Sequence, residues 1–245
     1  MHCRSIRQFR IFSLSLGILS IRAAVAPSSP PSNAPNRYQE SIIPRYGAYQ
    51  SNPMATTRPL LIGPSTGPEA PYPLRMEGKV IRGFGRGSKE LGIPTANLPV
   101  DASLTPWIAD IKSGVYFGWA SLRLPPSHPN RPSASSEARS GLGVYPMVMS
   151  IGYNPVYKNM ERSAEVHVLH EFGADFYGVD MRLLLTGFIR EEKNYPALEA
   201  LIEDIKIDCD VARNSLDRES WALRKAGKGT LDGSWLVRVA VEKNL

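Results

Sequence analysis

Between residues 83 and 97 the chain reads Gly-Phe-Gly-Arg-Gly-Ser-Lys-Glu-Leu-Gly-Ile-Pro-Thr-Ala-Asn. Three glycines in five positions, Gly83, Gly85 and Gly87, allow a tight turn and a close approach to a ligand, because no Cβ stands in the way. Loops of this kind aim amide N–H groups at phosphate oxygens, and Arg86 and Lys89 add positive charge. After the turn at Gly92 and Pro94, Thr95 and Asn97 bring two neutral oxygen ligands separated by one small residue. Such oxygens, shared with phosphate oxygens, suit Mg²⁺. The chemistry implied is the handling of a magnesium-bound polyphosphate.

A second centre lies in Ser163-Ala164-Glu165-Val166-His167-Val168-Leu169-His170. Strand alternation puts Glu165 and His167 on one face and Val166, Val168 and His170 on the other. A carboxylate on a strand is most often simply solvated; placed beside a reacting hydroxyl it can act as a general base. His167 and His170 read as structural residues rather than metal ligands, because no third ligand is spaced to join them.

The glycine run is not one of the common phosphate loops. It lacks the Gly-x-x-x-x-Gly-Lys-Ser/Thr order, and Ser88 stands where Gly-x-Gly-x-x-Gly needs its third glycine. No protein-kinase catalytic loop or metal-binding motif follows it. The whole run, through Gly-Arg-Gly-Ser-Lys and Pro-Thr-Ala-Asn, instead resembles the signature of the riboflavin kinases. The turn Asn154-Pro155-Val156-Tyr157-Lys158-Asn159 is similar to a turn of the same family, and the resemblance spans residues 72–217.

That resemblance implies transfer of the γ-phosphate of ATP to the ribityl 5′-hydroxyl of riboflavin, forming FMN. ATP is then the co-substrate and Mg²⁺ the metal, with Zn²⁺ as the alternative. Glu165 corresponds to the family's catalytic glutamate. Gly83, Lys89 and Thr95 would hold the ATP phosphates, Thr95 and Asn97 the metal, Val168, His170 and Tyr177 the nucleotide, and Arg190, Lys193 and Tyr195 the flavin. One departure is Glu191, which stands where the family's Arg-Pro-Glu order has proline. Bacterial relatives carry an adenylyltransferase domain ahead of the kinase, and a leader of linker composition implies a monofunctional enzyme of the fungal type. The alternative is a flavin- or nucleotide-binding barrel that has lost catalysis and serves as a sensor or scaffold; Glu165, Thr95 and Asn97 argue against it.

The elements that must position these residues are short and β-like. From Pro73 onward, Lys79–Arg82, Val115-Phe117-Trp119, Tyr145–Ile151, Ala164–His170 and Arg182–Ile189 form period-2 runs divided by Gly and Pro turns, the pattern of an all-β sandwich or barrel. The family implies a six-stranded antiparallel Greek-key barrel with a C-terminal α-helix packed against it. Leu198, Leu201, Ile202, Ile205, Cys209, Ala212 and Leu216 recur every three or four residues, which predicts an amphipathic helix. Pro196 suits its first turn and Asn194 its cap. Residues 124–143 carry Pro-Pro-Ser-His-Pro-Asn-Arg-Pro and read as a surface loop, with His128 expected in solvent.

Composition bounds the rest. Arg4, Arg7, Arg10, Arg22, Arg37, Arg45 and Arg58 against Glu40 account for the whole net charge of +6, so everything after residue 60 is electroneutral. A basic footprint for nucleic acid is therefore missing from the barrel region. Of 21 prolines, 11 lie between Pro27 and Pro73, which predicts a leader and linker over 1–70, a barrel with its helix over 71–217, and a tail over 218–245. Residues 1–26 are rich in Arg and Ser and poor in acids, with an apolar run from Ile11 to Ile21. They suit a mitochondrial presequence better than a secretory signal. A cytoplasmic protein with an unused leader, or a start at Met54, are the other readings. Cys3 and Cys209 have no disulfide or zinc spacing. No apolar run approaches the length of a membrane span, and a monomer is expected.

Overall fold

A computed structural model describes residues 9–10, 58–82, 92–132, 141–153, 162–224 and 229–238. A two-residue ladder pairs β1 (Phe9–Arg10) with β8 (Asn194–Tyr195). The other strands, β2 (Leu74–Lys79), β3 (Ala96–Leu98), β4 (Gly114–Arg123), β5 (Leu142–Tyr153), β6 (Arg162–Val168) and β7 (Asp180–Glu191), form one antiparallel sheet in the order β2-β7-β4-β5-β6-β3. Strands β4, β5 and β6 follow one another in space, and β7 returns to lie beside β4, which is Greek-key connectivity. At the two edges, the N–H of Ile81, just past β2, donates to the carbonyl of Asn97 in β3 at 2.9 Å. That bridge joins the edges of the curled sheet, where an open edge would present unpaired backbone groups.

The alternation seen in the sequence sorts side chains into two cores. Tyr116, Ala120 and Leu122 of β4, Met147, Met149 and Ile151 of β5, and Ala164, Val166 and Val168 of β6 fill the inside of the curled sheet. Phe117 and Val148, one residue out of phase, face outward against helix α1 (Leu198–Leu216), where Leu201, Ile205, Cys209, Ala212 and Leu216 meet them. The expected apolar stripe is thus the buried face of the helix, and burial pushes the Cys209 thiol up to about 12. Between Phe117 and Gly118 the β4–β7 register shifts. A Cβ at Gly118 would run into the Leu184 carbonyl, so glycine is what lets the two backbones meet there.

The helix begins later than its cap signals suggest. Ala197 is the N-cap, without a side-chain cap hydrogen bond, while Asn194 is engaged in the β1–β8 ladder. The stretch 59–67, grouped with the leader on composition, docks on the helix C-terminus: Ile62 N–H donates to Ser215 Oγ at 3.0 Å and Arg218 donates to the Gly63 carbonyl at 3.0 Å. The tail adds Trp221, which stacks on Phe117 at 5.7 Å between ring centroids and donates Nε1–H to the Pro64 carbonyl. A short helix α2 (Ser234–Val237) buries Leu236 completely.

His128 is a correction to the sequence reading. Rather than standing in solvent it is 7% exposed, with Nε2 at 3.1 Å from the Ala174 carbonyl and its ring against Phe172 and Phe176. Aromatic residues contributed by a distant loop bury it, and nothing local to residues 124–143 announces them. The segment 133–140 lies outside the described residues.

Candidate active site

Strand β6 carries the central residue. Ala164 and Val166 point into the inner core, so Glu165 and His167 leave the outer face, as the alternation predicts. Glu165 is paired in register with Asn97 on one side and Ser150 on the other. Directly opposed residues of an antiparallel ladder have Cβ atoms about 5 Å apart, so an amide, a carboxylate and a hydroxyl stand side by side across three strands. Glu165 is only 1% exposed. Asn97 faces outward because its neighbours Ala96 and Leu98 fill the inner core, and Thr95, two residues earlier, is half-buried like Asn97.

His167 secures this corner. Its Nδ1–H donates to the Pro94 carbonyl at 2.8 Å, pinning the residue before Thr95. Burial lowers its pKa, against the hydrogen bond to Pro94. The imidazole is therefore neutral near pH 7 and acts as a strut.

Helix α1 closes the site from above. Arg190 of β7 donates to Asp208 through Nε at 3.0 Å and through Nη2 at 2.7 Å, with both side chains nearly buried. Burial alone would lower the Arg190 pKa, but the hydrogen bonds and charge of Asp208 more than offset it. Lys193 Nζ lies 3.1 Å from Asp204 Oδ2, and the Tyr195 hydroxyl donates to the same carboxylate. Burial, then that hydrogen bond, raises the Tyr195 pKa. The three residues assigned to the flavin by resemblance thus form one network anchored on two helix acids that sequence reading did not single out. A signal was available: Asp204 and Asp208 occupy the same periodic positions as Leu201, Ile205 and Cys209, and acids on a buried stripe need partners. Between sheet and helix runs a cleft whose lining includes Val115, Val148, Ser150, Arg190, Glu192 and Asp208.

The residues assigned to the nucleotide are at the other end of β6. The Val168 side chain belongs to the inner core. His170 is exposed and packs on Tyr145 at 4.6 Å and Phe172 at 4.8 Å. Tyr177 is 43% exposed, with the Arg82 guanidinium 4.4 Å from its ring centroid. Gly83 and Lys89 lie outside the described residues, and so does the turn 154–159. Among the described residues no three His, Cys, Asp or Glu side chains converge as a metal cluster. The donor set at Thr95 and Asn97 is neutral oxygen, which fits a hard cation that takes its remaining ligands from phosphate and water.

Known proteins similar to this chain share one family. The family model for flavokinase, riboflavin kinase, matches residues 70–216. A riboflavin kinase of Pyricularia oryzae is 65% identical over 195 residues, 76% of this chain and 96% of the relative. One from Neurospora crassa is 56% identical over 237 residues, 77% of this chain and 100% of the relative. The crystal structure of riboflavin kinase from Trypanosoma brucei aligns at 31% identity over 60% of this chain and 82% of that one, with a TM-score of 0.45. A curled six-stranded antiparallel sheet with a C-terminal helix, a family match across it and relatives aligned over nearly their full length place the chain in the riboflavin kinase family of enzymes.

Proposed function

We propose that the chain phosphorylates the ribityl 5′-hydroxyl of riboflavin with Glu165 as general base and with Mg²⁺ held at Thr95 and Asn97. The observation that carries this reading is the register pairing of Asn97 with Glu165. It brings the carboxylate proposed as base beside the amide proposed as metal ligand, an arrangement that suits phosphoryl transfer by positioning and charge stabilisation.

A primary alcohol attacks poorly until its proton is taken or oriented, and a positioned base contributes roughly 10²–10⁴-fold. Glu165 stands on β6, which is paired by β5 on one side and β3 on the other, and it is buried, so its direction is set before substrate arrives. Magnesium would neutralise charge on the phosphate oxygens. Thr95 and Asn97 orient the phosphate end, and His167 keeps them in place through Pro94. Gly83 and Lys89 hold the triphosphate, while His170, Tyr177 and the main chain at Val168 flank the nucleoside. Arg190, Lys193 and Tyr195, braced by Asp204 and Asp208, line the flavin side.

The test is conversion of riboflavin to FMN with ATP and Mg²⁺ by the wild type and by Glu165→Gln. The variant is expected to lose turnover by at least about 10²-fold and to keep riboflavin binding. A variant running near the wild-type rate would refute the base assignment. A wild type that binds both ligands and forms no FMN would favour a sensor or scaffold.

A further inference from the structure

We infer that Glu192 is a substrate-binding residue whose carboxylate accepts a hydrogen bond from the ribityl hydroxyls of riboflavin, selecting flavins that carry the polyol chain. The inference rests on the placement of the reacting 5′-hydroxyl at Glu165.

Glu192 follows directly on β7 and folds back over the outer face of β5. A Cβ at Gly152 would collide with its Oε1, so the missing side chain there makes room for the carboxylate. Oε1 is buried, and no donor among the described residues reaches it. Burial raises the acid to about 7, with the charges of Arg162 and Arg190 pulling the other way. A buried acceptor without a donor is costly and calls for an explanation. Here the position borders the substrate cleft, beside Ser150 and Arg190.

The chemistry that would meet it is narrow. Arg190 is already committed to Asp208 in a two-pronged pair. Arg162, whose charge acts on Glu192, also has a buried Nε without a hydrogen-bond partner. A hydroxyl both donates and accepts, so a run of hydroxyls can serve a carboxylate and a guanidinium together, which a cation or an anion cannot.

Spacing selects the polyol over the ring. Ser150 pairs with Glu165, and Gly152 is the next residue of β5 on the same face, about 7 Å further on at the usual rise per residue. With the 5′-hydroxyl at Glu165, the remaining ribityl hydroxyls extend over a comparable length toward Gly152 and Glu192. The isoalloxazine ring lies beyond them.

The test measures flavin affinity by fluorescence without ATP, so that no turnover is needed. Riboflavin is compared with lumiflavin, which has the same ring and a methyl group in place of the ribityl chain. Glu192→Gln is expected to weaken riboflavin binding about tenfold, to leave lumiflavin affinity unchanged and to leave the KM for ATP unchanged. Glu192→Asp, which keeps the charge on a shorter arm, is expected to fall between wild type and Gln and serves if the Gln variant does not fold. Riboflavin affinity within about twofold of wild type, or an equal loss for lumiflavin, would overturn the inference. Failure of the base assignment reads out separately, as Glu165→Gln turning over at full rate.

Discussion

Asn97 and Glu165 are direct partners across the β3–β6 ladder, although 68 residues separate them in the chain. The residues given metal and proton work are therefore coupled through backbone hydrogen bonds and cannot drift apart as loop residues would. Their losses should nevertheless differ in kind. Asn97→Ala is expected to raise the Mg²⁺ concentration needed for half-maximal FMN formation about tenfold, with riboflavin affinity unchanged. A magnesium titration checks this, and an unaltered metal dependence would count against the ligand role.

The Arg190–Asp208 pair is expected to matter more for folding than its neighbour. Both side chains are nearly buried, and removing one partner of such a pair typically costs about 3–5 kcal/mol because the other charge is left buried alone. Asp208→Ala should destabilise by about that amount in urea unfolding. Lys193 is 46% exposed against Asp204, so Lys193→Ala should cost at most about 1 kcal/mol. Equal losses for the two variants would show that the Arg190–Asp208 pair does not brace the site.

Glu192 has a pH signature without substrate. Its folded pKa is raised from 4.5 to about 7, so between these values the folded chain binds more protons than the unfolded one, and this group's contribution to stability falls as pH rises. Glu192→Gln cannot ionise. Its melting temperature should therefore gain on wild type as pH goes from about 4.5 to about 7, with the gap constant above that. A gap that does not change with pH between 5 and 8 would mean the carboxyl is not buried as described.

Trp221 tests the tail. It is 2% exposed and stacked on Phe117, so Trp221→Ala should cost about 3–5 kcal/mol, as for other large-to-small core changes. Trp235, only partly buried under Arg238 and donating to the Leu183 carbonyl, should cost clearly less. Chemical denaturation of the two variants decides it, and a neutral Trp221 variant would show that the segment after residue 217 is dispensable for the fold.

Much of the architecture was legible because it is written in local periodicity. The runs around Phe117, Met149, Val166 and Leu184 alternate, and the stripe from Leu198 to Leu216 repeats at helical spacing; these patterns follow from which side chains must leave water. The three-residue β3 was not legible, being too short to show a period and sitting next to Pro94. His128 was misread for a related reason: its burial comes from Phe172 and Phe176, more than 40 residues away, and loop composition says nothing about such partners.

By itself, then, the sequence determined the strand and helix periods, the common face shared by Glu165 and His167, and a run of residues specific enough to suggest phosphate chemistry. Only the tertiary structure decided that Glu165 stands between Asn97 and Ser150, that Arg190 is held by Asp208, and that Glu192 lies over Gly152. The physical reason is that side-chain direction along a strand is set by neighbouring dihedrals, whereas register between strands and the covering of a face are settled by packing across the whole domain.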